Sequence, residues 1–203
     1  MPANSYERMR KYSEVRWTNY TWYVIHTVCL NAYLRQKEFQ ENIDYYKKFL
    51  SLLQQELPCP ECSEHCYEYL RNNRIDEKTD MHLWATNFHN NVNERLGKKK
   101  FSPSETKRFY MEYSDNEWKL VIDWTFYYYM IKIYANVAYT NKMIEHFCEL
   151  LETLRKIVPD REIRRELPRL KDSTDENTYI RKYLAVIKQH IPSKQLKIGF
   201  GQD

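Results

Sequence analysis

A chain of 203 residues, 42% hydrophobic and 30% charged, can bury a core, and its net charge of +4 does not call for a nucleic-acid partner. Its three glycines, Gly97, Gly199 and Gly201, cannot spell a GxGxxG dinucleotide fingerprint or a GxxxxGK[ST] phosphate loop, which excludes two large classes of nucleotide enzyme. No run of about 18 apolar residues occurs, so no membrane-spanning helix is expected. Residues 1–16 are polar and lack the apolar stretch of a secretory leader. The five cysteines, an odd number, do not read as a secreted disulfide framework. They point to an intracellular, non-secreted protein with one functional dithiol and three bystanders.

After the polar lead, residues 17–36 predict a first helix, with Trp22, Ile25, His26, Cys29 and Tyr33 at three- and four-residue spacing. Residues 39–57 predict a second, with Ile43, Tyr46, Phe49, Leu50 and Leu53 on one face. Pro58 and Pro60 interrupt it, and a third helix starts at Cys59 or Pro60 and runs to about Asn72. A fourth covers about 79–96 and stops at Gly97. Ser102-Pro103-Ser104-Glu105 reads as a cap, a first-turn proline and an acidic first turn, opening a short fifth helix to about Tyr113. An aromatic-rich helix carrying Trp118, Trp124, Phe126, Tyr127, Tyr128, Tyr129 and Tyr134 is expected next, then one near 140–157. Pro159 and Pro168 frame a charged segment, and a last helix covers about 175–190. The expected fold is all-α, with a polar lead at 1–16, one domain at 17–114 and a C-terminal helical region at 115–203.

Cys59-Pro60-Glu61-Cys62 carries the chemistry. Cysteines three apart at a helix start can close a reducible disulfide, and Pro60 suits the first helical position, where its missing N–H costs nothing. Cys59 then falls near the N-cap, where free N–H groups and the helix dipole favour a thiolate. Two other readings stay open at this point. Cys59, Cys62, His65 and Cys66, with His82 or His89, could hold zinc, although no second CxxC completes a zinc module. The pair could also be unremarkable. A thioredoxin fold is excluded by the helical pattern on both sides.

Trp22 and His26 share a helix face, as do His89 and Asn93, with Asn90 beside them. These residues, with Lys98 and Lys100, offer stacking surfaces, amides and cations to a planar, phosphate-bearing cofactor. The plainer alternative is a set of core aromatics and satisfied histidines.

The order of Trp22-to-Thr27, CPEC and His89-Asn90-Asn91-Val92-Asn93-Glu94-Arg95-Leu96-Gly97-Lys98 resembles the Erv/ALR family of FAD-dependent sulfhydryl oxidases, particularly the minimal forms of large DNA viruses. The resemblance covers about 17–113. It implies a four-helix bundle with a short fifth helix, FAD at the bundle mouth, and disulfide formation in protein substrates with electrons passed to O2 to give H2O2. It assigns Cys59 as the thiol attacked by substrate and Cys62 as the one facing the flavin. Trp22 and His26 would line the flavin; His89, Asn90 and Asn93 would contact the ring system and adenosine; Lys98 would approach the pyrophosphate or ribose. Tyr110 falls where the family has a tryptophan on the adenine. The resemblance further implies protein dithiols or a small redox protein as partners, a homodimer, no metal, and a place in the host cytoplasm or virion.

Two departures accompany it. A structural disulfide of cellular members would need cysteines at Thr86 and Pro103, and no shuttle cysteine pair exists. Cys66 is read as a packed bystander, with a resolving role as the alternative. Beyond residue 115 no motif appears. Arg155, Lys156, Arg161, Arg164, Arg165 and Arg169 read as a solvated helix face interleaved with glutamates rather than a nucleic-acid surface. The competing functions are a non-catalytic helical adaptor, zinc-stabilised by the Cys/His cluster, and a thiol–disulfide carrier without flavin.

Overall fold

The structure, a computed structural model, describes residues 17–114, 117–120, 122–137 and 141–192; the polar lead lies outside them. The fold is all-α with one small hairpin, and it packs as two units. One is Trp22–Ile122, and the other takes the described residues of Met1–Thr21 and Asp123–Asp203.

In the first unit, α1 (Trp17–Leu34) is buried without a break from Tyr23 to Ala32. A helix buried on every face marks the centre of a bundle. Buried with Val24, Val28 and Leu30 are Phe39, Phe49 and Leu53 of α2 (Gln36–Glu56) and Met81, Ala85 and Phe88 of α4 (Met81–Arg95). Each of these side chains larger than alanine contributes about 1.5–3 kcal/mol on burial. Within α2 the backbone leaves helical geometry at Asn42, whose amide donates to the Glu38 carbonyl at 2.8 Å. Asparagine competes in this way with helix hydrogen bonds. Helix α3 (Pro60–Asn72) packs along α2, and Tyr69 stacks on Phe88 of α4 at 4.6 Å.

Each turn around the site has a local cause. Asp80 caps α4 by accepting from the Leu83 N–H at 2.9 Å. At its far end Gly97 takes φ +64°, where a side chain is disfavoured, and the Lys98 N–H closes on the Asn93 carbonyl at 2.8 Å. Helix α5 (Pro103–Tyr110) opens with a reciprocal capping box between Ser102 and Glu105.

The structure departs from expectation after α5. The helix stops at Tyr110 instead of Tyr113, and β1 (Met111–Ser114) pairs antiparallel with β2 (Glu117–Leu120), Met111 opposite Leu120. Trp118 therefore belongs to a strand, and the aromatic-rich helix α6 begins at Trp124. The sequence between the strands, Asp115-Asn116, is turn composition.

The second unit contains α6 (Trp124–Val137), α7 (Asn141–Ile157), the short α8 (Arg161–Glu166), a 3₁₀ turn (Leu170–Asp172) and α9 (Glu176–Gln189). Its core includes Tyr127, Ile131 and Tyr134 of α6, Phe147, Leu151 and Leu154 of α7, and Tyr179, Tyr183 and Ile187 of α9. The first turn of α1 belongs here, with the Thr21 hydroxyl 2.7 Å from that of Tyr134. The basic stretch is partly internal. Arg155 is buried and grips Glu152, and the Arg164 guanidinium donates to the Val158 carbonyl at 2.7 Å.

Candidate functional site

Cys59 and Cys62 are joined as a disulfide with Cα atoms 5.2 Å apart, inside the normal range for such a bridge. Cys59 is the N-cap of α3, and its sulfur accepts the Cys62 N–H at 3.2 Å. Pro60 takes the first helical position. Both cysteines are half-buried, so an incoming sulfur can reach the pair. The helix start supplies N–H groups to whichever sulfur becomes anionic.

Cys29 and Cys66 behave differently. Both are buried, and burial alone pushes the Cys66 thiol up to about 12 and Cys29 higher still. Neither forms a thiolate near neutral pH, which suits packing rather than exchange.

The second cluster joins α1, α4 and α5. The Trp22 and His89 rings stack at 4.0 Å and 6°. His26 and Tyr110 stack at 4.8 Å and 19°. His26 Nε2 lies 3.0 Å from His89 Nδ1, which ties the two stacks together. Burial and the neighbouring His89 hold His26 down to about 3; burial and the Lys98 charge hold His89 down to about 4. Both imidazoles are therefore neutral at physiological pH. The other His26 ring nitrogen, Nδ1, is buried with no partner. A buried polar atom without a partner is costly and commonly marks a place where a bound group completes it. Burial also raises the Tyr110 phenol, so it stays protonated.

The amides turn toward the backbone instead. Asn90 donates to the Phe101 carbonyl at 2.7 Å and accepts the Phe101 N–H at 2.8 Å. Asn93 donates to the Lys99 carbonyl at 3.1 Å. Together they fold the 97–101 segment over α4, and Phe101 comes to lie 5.5 Å from the His89 ring. Lys99 and Lys100 pair with Glu105 and Glu94. Lys98 is exposed and, among the described residues, has no ion-pair partner.

Sequence reasoning missed Arg95. It reaches from the end of α4 to Glu61 Oε1 at 3.2 Å and also contacts His65, so it clamps the dithiol-bearing end of α3. The charges of Glu61 and Arg95 were visible in the chain, but their separation of 34 residues hides the pairing. Phe101 was missed for a similar reason, since nothing local marks where a loop closes. Among the described residues no group of three or more His, Cys, Asp and Glu side chains could hold a metal ion, so the zinc reading finds no ligand set there.

Comparison with known proteins adds relatives to this geometry. The Erv1 / Alr family model matches residues 19–115. FAD-linked sulfhydryl oxidases of two African swine fever virus isolates, Warthog/Namibia and Pig/Kenya, are 40% identical over 76 residues, covering 36% of this chain and 60% of each of theirs. The FAD-linked sulfhydryl oxidase ERV1 of Arabidopsis thaliana is 32% identical over 80 residues, 38% of this chain and 41% of its own. The chain thus spans about three fifths of the length of the viral relatives it matches. No solved structure matches. The stretch matched by the Erv1 / Alr family model, residues 19–115, holds both the dithiol and the ring cluster.

Proposed function

We propose that this chain is an FAD-linked sulfhydryl oxidase that makes disulfides in protein substrates. The observation that carries the reading is the Cys59–Cys62 disulfide at the N-cap of α3, in a unit that also presents neutral stacked rings and a buried unpartnered nitrogen.

The residues fit a flavin dinucleotide. Trp22, His26, His89 and Tyr110 supply flat surfaces; His26 Nδ1 supplies a hydrogen-bonding atom awaiting a partner; Lys98 supplies a free cation for phosphate. Asn90 and Asn93 shape the 97–101 segment that flanks these rings. FAD, when bound, would take two electrons from the dithiol and pass them to O2, giving H2O2.

The protein's own sulfurs do the exchange. A substrate thiolate attacks Cys59 Sγ, forming a mixed disulfide, and Cys62 leaves as a thiolate. The second substrate thiol, deprotonated, attacks the substrate sulfur of that mixed disulfide. The oxidised substrate departs, and Cys59 is left reduced beside Cys62. Amide groups at the start of α3 stabilise each sulfur as it becomes negative. Neutral His26 and His89 keep competing positive charge out of the ring cluster.

The viral relatives support a virus-encoded enzyme acting in the host cytoplasm or virion, and the family resemblance supports a homodimer. The test is oxygen uptake with dithiothreitol on the yellow, FAD-loaded protein. Cys59→Ser and Cys62→Ser should each abolish uptake and keep the colour. Turnover persisting in either variant removes this dithiol from the reaction, and a colourless protein that takes up no FAD removes the flavin.

A further inference from the structure

A groove of about 440 Å³ runs between α2 and α3 on the surface of the first unit. Its floor is apolar, formed by Tyr67, Leu70 and Ile75, and its rim carries Lys47, Arg71 and Arg74. No carboxylate lines it. All three cations are exposed, and among the described residues none has an ion-pair partner. Three like charges held around an apolar trough without counter-ions are a standing source of positive potential. A partner with negative charge and an apolar side chain relieves both features at once.

The groove also has a direction. Lys47 and Gln54 lie on one face of α2, about 10 Å apart along its axis. Gln54, in the groove wall, donates to the Ser63 carbonyl at 3.1 Å and to the Ser63 hydroxyl at 2.7 Å. Ser63 follows Cys62 directly, and its N–H bonds the Cys59 carbonyl at 2.9 Å. One end of the groove is therefore tied to the turn that carries the dithiol. An extended chain covers about 3.3 Å per residue, so a segment a few residues from a substrate cysteine spans the distance.

We propose that this groove docks an extended acidic segment, carrying one apolar side chain, of the protein that delivers its dithiol to Cys59. The proposal rests on the oxidase reading for the purpose of docking, but its first test does not. A fluorescent, cysteine-free peptide of alternating Glu and Asp around one Leu is titrated against the full chain, beside a Gln/Asn counterpart. The acidic peptide should bind about tenfold tighter, the scale of a few exposed charge contacts together. Added salt should erase the preference. Lys47→Ala, Arg71→Ala and Arg74→Ala combined should weaken it, and the corresponding Glu replacements should reverse it.

Equal binding of the two peptides overturns the proposal, as does a preference that survives the Glu replacements. Tighter binding of a single-stranded oligonucleotide of equal charge, or a dimer split by the replacements, assigns the groove to another occupant and also overturns it. In turnover, a dithiol peptide with the acidic flank should show about a tenfold higher KM in the Ala variant, with dithiothreitol oxidation unchanged. Loss of dithiothreitol oxidation in the unaltered protein sinks the oxidase reading alone, because the cysteine-free peptide reports docking without it.

Discussion

His26 Nε2 and His89 Nδ1 face each other at 3.0 Å, and the two rings cannot both carry a proton on these facing atoms without breaking the arrangement. Protonating both places two cations in a buried cluster that already feels Lys98. In the unfolded chain each imidazole titrates near its ordinary value of 6.5. The unfolded state therefore binds more protons below that pH, and stability falls as pH drops from 6.5 toward 4 and then 3. The expected loss across this window is about 2–4 kcal/mol. His26→Asn should flatten the slope. Urea unfolding at a series of pH values measures it, and an unchanged slope in the variant shows that other groups set the acid limit.

The three thiols outside the Cys59–Cys62 pair are expected to be silent in the folded protein. Cys29, Cys66 and Cys148 are all buried, with thiols raised by burial to about 12 for Cys66 and Cys148 and higher for Cys29. Iodoacetamide at pH 8 should label none of them at an appreciable rate until denaturant is added. Reduction should expose only Cys59 and Cys62. Rapid labelling of Cys66 in the native state would revive it as a resolving thiol.

Much of this was readable in the chain because the signals are local. Pro60 after Cys59, the Ser102–Glu105 box and Gly97 each fix a backbone turn through residues close in the chain, and the helix ends at those places follow. The ring cluster was readable as residue types on helix faces, since Trp22 with His26 and His89 with Asn93 obey the helical period. What stayed hidden was long-range. The Asn90 and Asn93 amides looked free for a ligand, but the backbone of the following loop, at Phe101 and Lys99, uses them. The hairpin at 111–120 was read as helix because its aromatic residues suit both states, and pairing across the turn decided between them.

Glu56 carries a buried carboxyl at the last residue of α2, where the helix dipole also disfavours an anion. Burial raises it from 4.5 to about 7. Below pH 4.5 both folded and unfolded chains hold the proton, and no penalty exists. As pH rises through 4.5 to 7 the unfolded chain releases it first, so the fold loses stability and keeps that deficit at higher pH. Glu56→Gln should therefore gain about 1–2 kcal/mol at pH 8 and nothing near pH 4. A gain of equal size at both values would point to a charge-independent cause.

The α4–α5 contact offers the last test. Family resemblance places the cysteines of a structural bridge at Thr86 and Pro103, and this chain fills that place with hydrogen bonds. Thr106 Oγ1 lies 3.0 Å from His82 Nε2, from Thr86 Oγ1 and from the Pro103 carbonyl. His82 Nε2 and Thr106 Oγ1 share one hydrogen bond, and Thr106 also reaches the Pro103 carbonyl. Burial keeps His82 below its ordinary value, which favours the neutral ring. Thr106→Val keeps the shape but removes the hydroxyl that pairs with the buried His82 Nε2, at a cost of about 1–3 kcal/mol. Adding His82→Phe removes the orphaned group and should recover part of that loss, because an apolar pair avoids the penalty of one polar partner left alone. Thermal unfolding of the two variants, with Cys59 and Cys62 reduced in every sample, separates this tie from the Cys59–Cys62 bridge. Full stability in Thr106→Val would mean that α4 and α5 are held by apolar packing alone.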